Sequence, residues 1–271
     1  MNTDETDNVQ EDLALEPLDA GDSSANTESN RLEAPVSDSQ PWTVTFRTNT
    51  RFYFSIQHIQ SAALFARQSA AVETDWNKTG DTNQLYSSLV AYAIGAVFNA
   101  TAFLEALINE LLADSVENHE GHVKGLDAET LALLAEMWKL GIPRRAGYPT
   151  LMKFQVALSL ARKPSFDLGL SPFQAANTLV QLRNDLIHYE PAWVVETDTS
   201  APETVSTPQL VRNLEGKFAP SPMPLSSFLK VLGHGCAQWS VRSSLAFADD
   251  FFTRMGLPAP YEHVRDTLAT T

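Results

Sequence analysis

The sequence predicts an all-α fold, a helical bundle of about six helices with room for a minor β hairpin at its edge. Three observations predict it. Apolar residues recur at spacings of three and four through most of the chain between Phe52 and Met255, the mark of helices with one buried face. The runs are punctuated by Gly, Pro, Asn and Asp clusters that end one helix and start the next. Hydrophobic residues make up 44% of the 271, enough to build a packed core. The reading divides the chain into an acidic tail over residues 1–40 and a helical domain over 41–271.

Taken in order, residues 1–40 hold eleven acids against one base, Arg31, and no aromatic. Such a segment cannot bury enough apolar surface to offset the entropy of ordering, so disorder is expected there. Residues 42–48 alternate apolar and polar and suggest a short strand, with Ala192–Glu196 or Leu210–Arg212 as candidate partners. Phe52, Ile56, Ile59, Ala63 and Phe65 then predict a first helix to about Trp76, broken by Asn77, Gly80 and Asp81. A second, long helix is expected from about Thr82 to Asp114. Its Ala93, Gly95, Ala96 and Ala100 would let another helix approach closely. The run Leu89–Leu107 has the length of a membrane span, but Asn99, Thr101 and Glu105 lie inside it and no basic flank follows. A central helix buried by its neighbours explains it better, and no membrane association is expected.

Residues 115–126 are expected to form a polar loop, in which His119, Glu120 and His122 are solvated rather than metal ligands, since no further ligand stands at zinc spacing. A third helix from about Ala128 to Leu140 has Asp127 as its cap. The Pro/Gly loop Gly141–Tyr148 carries the adjacent pair Arg144 and Arg145, the sensible phosphate contact if RNA approaches. A fourth helix is expected from Thr150 to Arg162. After Pro220, Pro222 and Pro224 a last long helix is expected from about Ser226 to Met255, holding His234 and Cys236 at core or flank positions.

The fifth helix carries the chemistry. Ser171–Pro191 opens with a candidate N-cap and a Pro at the first helical position, and stops at Pro191. Ala175, Leu179, Leu182 and Leu186 form its apolar stripe, and Gln181, Asn184, Asp185 and His188 a polar one. Arg183-Asn184-Asp185-Leu186-Ile187-His188, followed by Tyr189, resembles the signature of HEPN domains, in which an Arg, often followed by Asn, precedes a His near the end of a long helix. Arg51 and His58 meet the loose Arg-to-His spacing too, but without the Asn and the Pro stop.

The resemblance implies a small helical domain, either a metal-independent endoribonuclease or a module that only binds nucleotide or RNA or dimerises. Toxin–antitoxin and antiphage systems are the settings it implies, with a homodimer, RNA as substrate and an antitoxin or other partner protein. It makes Arg183, Asn184 and His188 the candidate catalytic residues and Glu105 a candidate partner for Arg183, with Asn109, Asp185 and Tyr189 in support. The residue types suit RNA cleavage without a metal or cofactor. A His titrates near neutral pH and can move the protons of the 2′-OH and the leaving 5′-oxygen. The planar fork of an Arg fits phosphate oxygens, and Asn can orient either group. Asn184 and His188 share a helical face, while Arg183 lies about 140° round from His188. A carboxylate at Asp185 would raise the imidazole's proton affinity and repel phosphate. The alternative is that Arg183 pairs with Glu105 or Asp185 and His188 only caps its helix.

Composition bounds these functions. The net charge is −14, but −10 of it lies in residues 1–40, so the rest carries about −4. That is not the basic footprint of a protein gripping long RNA by its phosphates, and any RNA contact must be local. One cysteine and the absence of an apolar leader favour a reducing, cytoplasmic compartment. There is no G-x-S-x-G elbow, Walker-type loop, G-x-G-x-x-G or H-E-x-x-H.

Overall fold

A computed structural model describes residues 50–81, 85–141, 148–191 and 209–271. Among these residues the chain is helical, with no strand. The helices are α1 (Phe54–Thr79), α2 (Leu85–Glu117), α3 (Glu120–Val123), α4 (Ala128–Lys139), α5 (Thr150–Leu160), α6 (Phe173–Ile187), α7 (Gln209–Leu214), α8 (Ser227–Lys230) and α9 (His234–Met255), with a 3₁₀ helix at Glu262–Leu268. Residues 50–271 form one compact unit. The tail, the candidate strand at 42–48, its partner at Ala192–Glu196 and the pair Arg144 and Arg145 lie outside the described residues.

The centre of the bundle is α2, packed on α1, α9, α4 and α6. It runs antiparallel to α1: Tyr53 meets Asp114, Ser55 meets Glu110, His58 meets Asn99 and Phe65 meets Tyr92. The small residues do what their spacing predicts. Ala93, Ala96 and Ala100 are fully buried, as are Ala62, Ala63 and Ala66 of α1. Gly95 has the Phe65 ring so close that a Cβ there would press on it. α2 is long and apolar enough to cross a membrane, and half of its most apolar window is buried inside the bundle.

Aromatic rings knit the outer helices to this centre. Phe247 of α9 stacks on Phe166 at 4.6 Å and meets Phe154 of α5 edge-on at 5.0 Å. Phe103 of α2 meets Tyr261 edge-on at 5.3 Å, which ties the C-terminal segment down. Such pairs add to the apolar area they bury. Cys236 is fully buried in α9, and burial pushes its thiol pKa up to about 12, with a bond to Ser240 opposing.

Four expectations need correction. Leu210–Arg212 is not extended but lies in α7, because Leu210 and Leu214, four apart, both bury against the core. The last helix is two pieces, α8 and α9. The segment Ala219–Ser221 crosses the start of α9, and the Ser221 N–H donates to the Lys230 carbonyl at 2.8 Å. The crossing needs bare backbone: a Cβ on Gly235 would strike the Ala219 carbonyl oxygen, and one on Gly233 the Ser221 side chain. Third, α6 begins at Phe173 with Pro172 at the cap position, rather than with Ser171 capping a helix that starts at Pro172. Fourth, the 115–126 loop contains α3, and His122 on it is buried. Elsewhere the ends fall close to expectation. Asp127 caps α4 by accepting from the Thr130 N–H at 2.9 Å, and Gly80 closes α1 in the left-handed conformation.

Candidate active site

α6 is held by Phe173, Ala176, Leu179 and Leu182, all buried, and this fixes which residues face water. Arg183 is exposed, Asn184 half-buried and His188 exposed. Arg183 Nη1 donates to Asn184 Oδ1 at 2.9 Å, so the Asn orients the guanidinium while leaving its other N–H groups outward. His188 is the C-cap residue, its backbone N–H bonded to the Asn184 carbonyl at 2.9 Å. Its ring has no hydrogen-bond or ion-pair partner among the described residues. Arg183 likewise has no ion pair there. Both groups therefore stand in solvent at the same end of one helix. Tyr189 follows directly, its ring 5.5 Å from Phe228 of α8. Asp185 is exposed beside a shallow crease formed with Gln181 and Asn213 of α7.

Glu105 is not Arg183's partner. It accepts from Lys153 Nζ and Thr150 Oγ1 of α5, and from Asn109 Nδ2 at 3.3 Å. Lys153 also donates to Asn109 Oδ1 at 3.0 Å, and its side chain is buried. The four residues form a polar clamp between α2 and α5. The cation that claims Glu105 had a sequence signal: Lys153 is the one charge inside the apolar run of α5. Nor does Arg183 pair with Asp185.

A second polar cluster joins the start of α1, the end of α2 and α3. Asp114 is fully buried and accepts from the His122 backbone N–H at 2.8 Å, from His122 Nδ1 at 2.9 Å, from the Tyr53 hydroxyl at 3.2 Å and from Arg51 at 2.6 Å. Burial alone would raise its pKa. The bonds from His122 and the charges of His122 and Arg51 outweigh burial and hold it below the ordinary carboxylate value. His122 Nε2 lies 3.5 Å from Glu110. The Tyr53 hydroxyl is pushed up, first by burial and then by Asp114. His119 and Glu120 are exposed. Among the described residues no group of three or more His, Cys, Asp or Glu side chains could hold a metal ion.

Two clefts adjoin each other, the first beside α9. One, of about 530 Å³, lies between its first turns and Lys217–Pro222, and includes Glu73, His234, Trp239 and Arg242. The Glu73 carboxylate accepts the His234 N–H at 3.2 Å and so caps α9 from α1. The other, of about 460 Å³, lies between α7 and α8. They share Phe218 and Pro220.

Comparison of the chain with family models, curated proteins and solved structures gives no match. The chemistry must therefore be read from the groups themselves. An exposed guanidinium held by a neighbouring amide and an exposed imidazole on one helix end can bind a phosphate and move a proton. One copy supplies one of each.

Proposed function

We propose that the chain is a HEPN-like, metal-independent endoribonuclease that acts as a cytoplasmic homodimer in a toxin–antitoxin or antiphage setting. The observation that carries the reading is the joint exposure of Arg183 and His188 at the end of α6, both without an ion pair among the described residues, with Asn184 orienting the guanidinium. In this reaction a His188 imidazole takes the proton of a ribose 2′-OH. The 2′-oxygen attacks the adjacent phosphorus, and the 5′-oxygen leaves with a proton from the second protomer's imidazole. The products are a 2′,3′-cyclic phosphate and a 5′-OH end. Arg183 stabilises the charge that gathers on the non-bridging oxygens. The test is cleavage of total RNA in EDTA by wild type and by His188→Ala. Wild type should cut and the variant should lose at least a hundredfold in rate. Cleavage that survives the substitution removes the mechanism.

A second reading, a non-catalytic RNA- or nucleotide-binding or dimerisation module of the same type, has its own observation. Glu105 is committed to Lys153, and the His188 ring has no carboxylate to fix its orientation. An inactive wild type that still forms a dimer would favour it.

A further inference from the structure

We infer that the face built by residues 209–242 is a track for single-stranded RNA leading away from the α6 terminus, an inference that rests on the ribonuclease reading above. The track is assembled from neighbouring groups. His188 is followed by Tyr189, whose ring meets Phe228. Two residues on, Lys230 lines the smaller cleft, whose far wall, Phe218, is shared with the larger one. There the Phe218 ring lies 5.6 Å from Trp239, and one turn beyond Trp239 stands Arg242.

Aromatic rings, Tyr189 exposed and the others half-buried with one side against the core, thus alternate with cations: Tyr189 and Phe228, Lys230, Phe218 with Lys217, Trp239, Arg242. Lys217, Lys230 and Arg242 have no ion pair among the described residues, in a chain whose net charge is −14. Four acids stand on or beside the track. Glu73 already accepts the His234 N–H, Glu215 stands on the rim of the smaller cleft, and Asp185 and Glu190 flank its start at His188 and Tyr189. Alternating stacking surfaces and unpaired cations are what a single strand needs, since every base offers a π-face and every linkage a negative charge. Clefts of about 530 and 460 Å³ are each large enough for a nucleoside. An acidic peptide would use the cations but not the rings, and a duplex hides its base faces.

The test uses the full chain carrying His188→Ala, so that RNA survives, with a fluorescein-labelled 12-nucleotide RNA of mixed sequence read by anisotropy. Trp239→Ala should weaken binding at least fivefold and Trp239→Phe should restore most of it. Lys217→Ala with Arg242→Ala, both exposed and outside the core, should weaken binding at least tenfold and lower the salt slope by about two. Unchanged affinity in the double variant overturns the track. So does equal affinity for the same sequence as a duplex, and so does tighter binding of labelled polyglutamate than of RNA. The two proposals fail separately. Binding that depends on the groove with no cleavage by wild type sinks the nuclease and keeps the track. Cleavage that needs His188 with binding indifferent to the groove does the reverse.

Discussion

Arg183 and His188 reach solvent because the four apolar residues of α6 leave them no other side. With only Asn184 bonded to it, the guanidinium keeps most of its fork for phosphate. Arg183→Ala should lower the cleavage rate about 10²- to 10³-fold, and Arg183→Lys should recover only part, since a point charge lacks the two-pronged geometry. Rates measured on one RNA under one salt condition would show it. The other residue-scale prediction concerns Asp114. Its folded pKa lies below its ordinary value, so its contribution to stability is present above that value and is lost as pH falls through the folded one. Thermal unfolding followed from neutral pH downward should show a loss setting in below about pH 4. Asp114→Asn should be less stable at neutral pH and flatter across that window. At this scale the sequence showed the Arg-Asn-His set plainly, because spacing on one helix is local. It could not show that Lys153 takes Glu105, or that Asp114 draws His122 inward, because those partners meet only when distant segments pack.

At the scale of elements, what could be read followed from periodicity. The length of α2, its small-residue face and the Asp127 cap are local properties, and they appear as expected. The division of the last helix was hidden, because Phe228, Val231 and Leu232 continue the apolar rhythm across the break. What breaks it is a separate segment, Ala219–Ser221, lying over two glycines. Gly235→Ala should therefore cost stability, on the order of 1–3 kcal/mol for the overpacking, and should shift the 219–221 crossing. Chemical denaturation of the variant beside wild type measures the first. A change in Trp239 fluorescence, across the same cleft, reports the second.

For the whole molecule, the charge sits mostly in the first 40 residues, and the rest is close to balanced. Any nucleic-acid binding must then come from a local arrangement rather than from net charge. On the proposed function, one guanidinium and one imidazole on each chain call for two chains. Wild type unfolded and refolded with an excess of the doubly substituted Arg183→Ala/His188→Ala chain should lose most of its cleavage per wild-type chain, because mixed dimers keep one imidazole of the two. A site complete within one chain would keep all of it. The all-helical class was legible because it depends on pattern alone, whereas a subunit arrangement has no signature in one chain's periodicity.

The lone thiol in the middle of α9 offers the molecule a built-in clock. Held out of water, Cys236 has almost no thiolate at neutral pH and no path for a reagent. Alkylation by iodoacetamide can then proceed only when the helices part around it. Its rate in mild denaturant should track the opening of the bundle and slow when RNA or a second subunit holds the helices together. A thiol that reacts at the rate of a free cysteine in the native protein would show that this part of α9 is not enclosed.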